Sequence, residues 1–359
     1  MEKKIYEIMQ KNRKVAEISE TGFCKIYDES FLPYNLYLEE NDDIDTLVNN
    51  VTNFYYWCAT RVLTLDRKYA KEILNSIGMR QAVTDRERAQ IALSYRCASL
   101  TDVFWVRQKG EEITFEKINL YNNHLKNTFI DISLRGKQYT ADNHELAKDL
   151  STNGCFPKAW KREEEGFVLL KDGGEDTVER ELLASRICQC FDVSQVIYQK
   201  SYFAHEKVTK SENITSLETS LASMEAFEIY AQNHDRDVKE YILSLDSHNY
   251  YMMNIIDYLV GNTDRHWGNW GVLVDTKNNK PISLHKLMDF NRAFYAYDNI
   301  DGANCQTTFY KKMSQREAAE EAVQKIGLNQ IKEVKKNYFE ALPQYWEMFE
   351  KRLSLLKGI

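Results

Sequence analysis

One short segment, GNTDRHWGNWG at residues 261–271, constrains this chain more than any other. It follows a predicted amphipathic helix, precedes a predicted strand, and places Asp264, His266 and Asn269 in a single turn. A second carboxylate, Asp289, follows in the sequence LMDFN. Glycine and short polar residues favour tight turns. Carboxylate and amide oxygens are also the ligands that hard divalent cations prefer.

The spacing of apolar residues before this turn predicts a helix. They fall at i, i+3, i+4, i+7 and i+8, as one buried helical face requires, in the set Met252, Ile255, Ile256, Leu259 and Val260. Gly261 follows the last of them, where a left-handed C-terminal cap is expected.

A predicted hairpin after the turn brings the polar residues together. Residues 271–274 and 282–288 form its two strands around the turn-rich DTKNNKP. If the hairpin is centred on Asn279, then Asn269 and Asp289 each lie ten residues from its centre. Antiparallel partners lie close together, so these side chains can share one cation. Mg²⁺ prefers one or two carboxylates plus phosphate oxygens. The spacing therefore predicts a Mg²⁺ site at Asn269 and Asp289, and it leaves Asp264 to act as a base.

Two other interpretations compete for this turn. Asp, Asn, Gly and Thr are ordinary loop formers, so each residue alone is better explained by structure than by chemistry. A zinc site at His266 and His285 is disfavoured, because neither has a Cys or second His at ligand spacing.

Composition narrows the class of protein. The 359 residues include seven cysteines without a CxxC pair, which indicates reduced thiols and a cytoplasmic location. A net charge of −7 argues against direct nucleic-acid binding. The sequence contains no run of eighteen apolar residues and no polybasic cluster. It therefore predicts no membrane partner.

Three regions are predicted along the chain. Residues 1–135 form an accessory N-terminal region of unknown role, with a helix capped by Thr84 and ending near Leu93. Within this region, residues 104–107 and 113–118 are predicted strands of a hairpin. The other two regions are predicted lobes: residues 136–214 form the small lobe, and residues 215–359 form the large lobe.

The order of elements after residue 150 predicts an α+β, bilobal kinase-like fold. A strand ends at Lys171, and a helix follows over residues 177–191 with Asp176 as its N-cap. Two strand-like runs come next, at residues 196–203 and 205–211. The remainder is mainly helical, so a small β-rich lobe would lead into a large helical lobe.

This order assigns a role to each polar residue. Lys171 would neutralise the non-transferred phosphates of a nucleotide, and Glu181 would hold its ammonium group. Asp264 would accept the proton of a substrate hydroxyl. His266 would hold the loop or contact phosphate, and the alternative is a hydrogen bond to the loop backbone.

A phosphate-covering turn is predicted at residues 151–158. Its backbone N–H groups, with Asn153, Gly154 and Lys158, would bind the phosphates. By itself this signal is weak, because Gly154 is the only glycine and Pro157 lacks a donor.

These motifs together resemble the HipA-like serine/threonine kinases, the toxin kinases of bacterial toxin–antitoxin systems. The family's T-D-x-H-x-x-N loop is met by Thr263, Asp264, His266 and Asn269, and its metal-binding aspartate by Asp289 before Phe290. The resemblance implies ATP and Mg²⁺ as cofactors, a protein substrate, and an antitoxin partner in a toxin–antitoxin or phage-defence setting.

The same family has a phosphate loop of the form S-x-x-G-x-x-x-K, which Ser151, Gly154 and Lys158 meet. The resemblance implies autophosphorylation of Ser151, which ejects the loop and stops ATP binding. It also places the adenine hinge near residues 210–213. It covers roughly residues 150–310, and residues 1–135 match no HipA pattern.

Three alternatives remain open at the level of sequence. The DRHxxN segment also resembles phosphatidylinositol 3/4-kinases, which indicates a lipid or small-molecule kinase. A kinase fold can instead transfer AMP. A pseudokinase scaffold would bind partners without catalysis, although it would have no need of Lys171, Asp264, Asn269 and Asp289.

Overall fold

The computed structural model describes residues 4–62, 70, 84–122, 156–164, 166–295 and 297–359. The described strands are β1 (Ile5–Gln10), β2 (Arg13–Ser19), β3 (Cys24–Ile26), β4 (Phe104–Gln108), β5 (Lys158–Glu163), β6 (Gly166–Lys171), β7 (Gln199–Phe203), β8 (Glu206–Glu212), β9 (Thr219–Ser223), β10 (Gly271–Asp275) and β11 (Lys280–Leu284). The described helices are α1 (Ile44–Ala59), α2 (Asp85–Ser94), α3 (Phe115–Ile118), α4 (Glu175–Cys188), α5 (Met224–Asn233), α6 (Val238–Val260), α7 (Gln315–Ile326) and α8 (Trp346–Lys357). Within these ranges no helix has the length and apolarity needed to cross a bilayer. The predicted α+β class is confirmed.

The chain divides into two compact units. Unit 1 comprises residues 1–170, 215–221 and 274–280, and unit 2 comprises residues 171–214, 222–273 and 281–359.

Unit 1 is built on an antiparallel sheet of order β3-β2-β1-β4. Alternate residues of these strands point into an apolar core, which Ile8 and Val15 enter without measurable exposure. Helix α1 packs on this core through Phe54 and Trp57. The unit is therefore a sheet covered by a helix.

Two predictions for unit 1 had different outcomes. The capping box is confirmed: the Thr84 hydroxyl accepts from the backbone N–H of Glu87, whose carboxylate accepts from Thr84 N–H. The predicted hairpin is wrong in its second half. β4 forms as expected, but residues 113–118 contain α3, because Phe115 and Ile118, three positions apart, turn together into a core with Trp105.

Unit 2 contains α4 to α8, and its longest element, α6, ends as predicted. Gly261 has φ 59° and ψ 44°, the left-handed cap that directs the chain into the polar turn. The buried end of α6 includes Ile255, Ile256 and Leu259. After the polar turn the chain enters β10, the central strand of a sheet of order β11-β10-β9.

Helix α4 begins earlier than the sequence indicates. Its first residue is Glu175 and its N-cap is Gly174, so the prediction of Asp176 as cap and residues 177–191 as helix is wrong in its bounds. Asp176 lies instead in the first turn, where a carboxylate stabilises the exposed N–H groups. The strands predicted after this helix are β7 and β8, which pair antiparallel.

Candidate functional site

A buried lysine lies at the centre of the candidate site in unit 2. Lys171, the last residue of β6, donates to Glu181 Oε1 at 2.7 Å, to Asp289 Oδ1 at 3.1 Å and to Asn291 Oδ1 at 3.0 Å. The ammonium group has three N–H donors, and these three acceptors use all of them. The structure thus brings Lys171, Glu181 and Asp289 together, as the assigned roles require.

The charge of this lysine is stabilised by its carboxylate neighbours. Burial alone would lower the pKa of Lys171, but the carboxylates of Asp289 and Glu181 outweigh burial and raise the pKa well above its ordinary value. The lysine therefore stays cationic inside the protein, as the binding of an anion requires.

Glu181 is itself held in place from two sides. Its Oε2 accepts a hydrogen bond of 2.6 Å from the Thr209 hydroxyl of β8, while Oε1 binds Lys171. On α4 the neighbouring Ala184, Ser185 and Cys188 are fully buried, so small side chains let this face of the helix pack closely. Sequence reasoning missed Thr209, because a threonine in a strand gives no distinguishing signal.

The polar turn after α6 is closed by its own hydrogen bonds. The Asn269 side-chain Nδ2 donates to the carbonyl of Asp264 at 2.8 Å, and the backbone N–H of Asn269 donates to the carbonyl of His266 at 2.8 Å. The Asp264 carboxylate remains one-third exposed. A rigid turn therefore presents an accessible carboxylate.

An arginine that the sequence analysis did not assign joins this turn to the segment of Asp289. Arg265 binds Asp257 through two bonds, at 2.8 and 3.0 Å. Its remaining nitrogen donates to the carbonyl of Asn269 at 3.0 Å and to that of Met288. One signal was present in the sequence: Asp257 interrupts the apolar run MMNIIDYLV, and a buried carboxylate requires a cation.

The predicted register of the hairpin, which would place Asn269 opposite Asp289, is wrong. The backbone N–H of His285 donates to the carbonyl of Gly271 at 2.9 Å. This pairing centres the hairpin near residue 278 and places Asn269 opposite residue 287. β11 spans Lys280–Leu284, so it ends before residue 288, the predicted end of this strand. The two backbone segments approach each other through the guanidinium of Arg265 instead.

Asp289 adopts an unusual backbone conformation. Its φ is 62°, a region that favours glycine, and the surroundings hold it there. Its N–H donates to the Tyr198 hydroxyl at 3.0 Å, and its carbonyl accepts from Asn262 Nδ2 at 3.3 Å. Strain of this kind persists where neighbouring contacts fix it, and here it directs the carboxylate towards Lys171.

The two histidines of the disfavoured zinc interpretation have backbone partners. His266 is exposed, and its Nδ1 accepts from the N–H of Gly268 at 3.0 Å. His285 is buried, with Nδ1 at 2.7 Å from the carbonyl of Lys286. Across the described parts of the chain, no three His, Cys, Asp or Glu side chains converge on a common metal position.

The predicted phosphate-covering turn is only partly observable. Ser151, Asn153 and Gly154 lie outside the described residues. Lys158 begins β5, is buried, and belongs to unit 1. The role predicted for this turn therefore stays a prediction.

The donor set suits Mg²⁺ bound together with phosphate. Asp289 offers a partly exposed carboxylate, and Asn269 has its Nδ2 committed to Asp264, which leaves Oδ1 as its ligand atom. Two protein ligands are too few for a closed cation cage. They do match the way Mg²⁺ is held between one or two side chains and the oxygens of a nucleotide.

Comparison with known proteins identifies the fold. No protein-family model matches the sequence, and no curated protein matches it. The chain is similar to HipA of Shewanella oneidensis MR-1, in a structure of the toxin–antitoxin system HipA, HipB and its operator DNA. The TM-score is 0.59 at 10% identity over 99% of this chain and 98% of that one. It is also similar to the Helicobacter pylori proinflammatory kinase CtkA, at a TM-score of 0.45 and 14% identity, over 56% of this chain and 89% of that chain.

The comparison establishes the fold of this chain. The chain has a HipA-like, kinase-like fold, as the resemblance implied. At 10% identity this likeness establishes architecture alone, so activity has to be argued from the site.

Proposed function

We propose that this chain is a cytoplasmic, Mg²⁺- and ATP-dependent serine/threonine protein kinase of the HipA-like type. One observation carries the proposal. A buried lysine bonds at the same time to a helix glutamate and to Asp289, and Arg265 joins the segment of Asp289 to the Asp264–Asn269 turn. A fold that only recruits partners has no need of such a costly buried charge cluster.

The residues divide the work of phosphoryl transfer. Lys171 binds phosphate oxygens of ATP, and Glu181 keeps its ammonium in place. Asp289 and Asn269 would hold Mg²⁺, which when bound supplies positive charge to the phosphates. Asp264 accepts the proton of the substrate hydroxyl. That hydroxyl oxygen bonds to the γ-phosphorus as the bond from the γ-phosphorus to the β,γ-bridging oxygen breaks, and ADP leaves.

Regulation and partners follow the same proposal. Autophosphorylation of Ser151, in the turn with Asn153, Gly154 and Lys158, would remove the phosphate contacts and inactivate the enzyme. Because the HipA neighbour is bound to HipB and operator DNA, we propose an antitoxin partner for this chain. With a net charge of −7, DNA contact would fall to that partner. Mass spectrometry should find the phosphate on Ser151, and Ser151→Ala should abolish that modification.

Labelled ATP tests the proposed reaction. Wild-type protein with Mg²⁺ should acquire label from γ-labelled ATP and none from α-labelled ATP. Asp264→Asn and Asp289→Asn should both abolish labelling. Asp298→Asn, which neutralises an exposed carboxylate in a nearby turn, should label normally.

Each alternative function has its own signature in that experiment. Label from the α-position would establish AMP transfer. Labelling of a lipid or small molecule but no protein would change the substrate class. No labelling, together with no binding of Mg-ATP, would leave a scaffold with a kinase-like fold.

A further inference from the structure

Arg292 lies beside the partly exposed carboxylate of Asp264, and it shares the ring of Tyr295 with a second arginine, Arg180. Arg292 Nε lies 3.9 Å from Asp264 Oδ2. The guanidinium carbons of Arg292 and of Arg180 each lie 5.8 Å from the centre of the Tyr295 ring. Arg180 comes from α4, next to Glu181, and Arg292 follows Asn291, which binds Lys171. Both arginines therefore come from segments that the Lys171 cluster fixes in place.

The positive charge of this arginine pair is only partly balanced. Arg180 donates to the carbonyl of Asp176 and to the Thr177 hydroxyl, both at 3.2 Å. Throughout the described ranges, no carboxylate forms an ion pair with Arg180, and Arg292 pairs only with Asp264 at that longer distance. Two like charges beside one ring repel each other, and each guanidinium has five N–H donors. The arrangement can therefore accept an incoming anion.

The same residues are accessible to an incoming chain. The Tyr295 side chain is 53% exposed, and that of Arg292 is 45% exposed. An exposed aromatic ring with two guanidinium groups over it combines an apolar surface with positive charge. Such a surface suits a peptide segment that carries a carboxylate.

We propose that Arg180, Tyr295 and Arg292 recognise an acidic side chain of the protein substrate, close to the hydroxyl that accepts phosphate. This inference rests on the proposed kinase function and specifies its substrate class. Because Arg292 lies so near Asp264, and a residue spans about 3.5 Å of extended chain, the acidic residue is within about two positions of the acceptor. A planar guanidinium binds a carboxylate through two parallel hydrogen bonds, which gives this recognition its specificity.

A phosphate group of the nucleotide is the other anion that these arginines could bind. The shared chemistry is an oxyanion held by two guanidinium groups. The two sources differ in one measurable respect: a nucleotide phosphate would make ATP affinity depend on the arginines, whereas a substrate carboxylate would make peptide affinity depend on them.

Peptide binding without nucleotide tests the proposal. The probes are short fluorescein-labelled peptides with one serine flanked by glutamate, by glutamine or by lysine, followed by fluorescence polarisation. The glutamate peptide should bind the wild-type protein about tenfold more tightly than the glutamine peptide, and the lysine peptide most weakly. In Arg180→Gln/Arg292→Gln protein the three affinities should agree within about threefold, with each single variant intermediate.

The matched control is Arg186→Gln. It removes an exposed arginine from the same helix, one whose guanidinium lies over Tyr338 instead. This variant should keep the full preference for glutamate, and all variants should unfold at the temperature of the wild type.

Two results would overturn the inference: wild-type protein without a preference for glutamate, or a preference that survives in the double variant. A surviving preference together with lost affinity for Mg-ATP would assign the arginines to a nucleotide phosphate instead. Because the binding arm contains no nucleotide, its outcome stands apart from that of the kinase proposal. A different result is a glutamate preference that depends on the arginines while no γ-phosphoryl group is transferred to any peptide. That result would refute the kinase proposal and leave an acidic-peptide binding site.

Discussion

Lys171 shows how one residue links the stability of unit 2 to its proposed chemistry. Its ammonium group is buried and satisfied by Glu181, Asp289 and Asn291, so the charged form is favoured. A nucleotide phosphate would compete with Asp289 for the same donor. The cluster is a structural ion pair, and in the proposed reaction it would exchange one anion for another.

Lys171→Met is expected to destabilise the protein and to abolish phosphoryl transfer. Methionine fills similar volume but leaves the buried Glu181 and the partly exposed Asp289 without their cation, at a cost of about 3–5 kcal/mol. Urea unfolding measures the loss, with Lys286→Met, an exposed lysine, as the control that should change little. An unfolding midpoint equal to that of the wild type would contradict the burial argument.

Arg265→Lys tests the guanidinium that joins the two segments. Lysine keeps the positive charge but cannot bind both oxygens of Asp257 and also reach the carbonyls of Asn269 and Met288. We expect a loss of about 2 kcal/mol in the free energy of unfolding. Autophosphorylation should slow at least about tenfold, because a small misplacement of reacting groups is costly. Normal activity with a changed stability would show that Arg265 supports the fold alone.

At the scale of elements, the junction between α6 and the polar turn depends on one glycine. Gly261 has a positive φ, and a β-carbon there would lie 2.4 Å from Cδ2 of Tyr297. Tyr297 cannot easily move, because its hydroxyl donates to the carbonyl of Leu259. Backbone conformation and packing therefore both require glycine at this position.

Gly261→Ala should reduce the free energy of unfolding by at least about 2 kcal/mol, from left-handed strain plus overlap with Tyr297. Gly358→Ala, at the end of α8, is the matched control. Its φ is −84° and the nearest atom to an added β-carbon is 3.4 Å away, so a change within about 0.5 kcal/mol is expected. Thermal unfolding of both variants measures the two losses of stability. Equal losses in Gly261→Ala and Gly358→Ala would contradict a special requirement for glycine at position 261.

The segment after β11 gives unit 2 a dependence on pH. Burial lowers the pKa of His285 from 6.5 to about 4, and the nearby Arg265 acts in the same direction. The unfolded chain therefore binds a proton at a higher pH than the folded chain does. Stability is complete above about pH 6.5 and falls as the pH decreases towards 4.

This dependence can be measured directly. Between pH 7 and pH 4 the contribution of His285 should fall by about 3 kcal/mol. The neutral variant His285→Asn, whose amide can still donate to the carbonyl of Lys286, should lack that part of the pH dependence. Urea unfolding of both proteins across this range gives the comparison, and parallel curves would refute the prediction.

For the whole molecule, some features follow from sequence patterns and others do not. The end of α6, the polar turn and the strand before Lys171 were predicted, because they depend on local periodicity and on glycine. The long-range contacts of Arg265 and Thr209 were not, since nothing local in the sequence shows which distant atoms a side chain meets. The register of the hairpin was also missed, because several turn residues in DTKNNKP can serve as its centre.

The similarity to HipA over 99% of the chain at 10% identity fits this division. Apolar patterning preserves a fold while most individual side chains change. The proposed chemistry depends on the cluster of Lys171, Glu181 and Asp289.

The most direct test of that chemistry separates binding from transfer. Single-turnover transfer of the γ-phosphoryl group should be followed beside Mg-ATP affinity in wild-type, Asp264→Asn and Asp289→Asn proteins. We predict that Asp264→Asn binds Mg-ATP within about threefold of wild type and transfers at least about 100-fold more slowly. Asp289→Asn should lose both. Transfer at the wild-type rate in either variant would contradict the assignment of this cluster as a phosphoryl-transfer site.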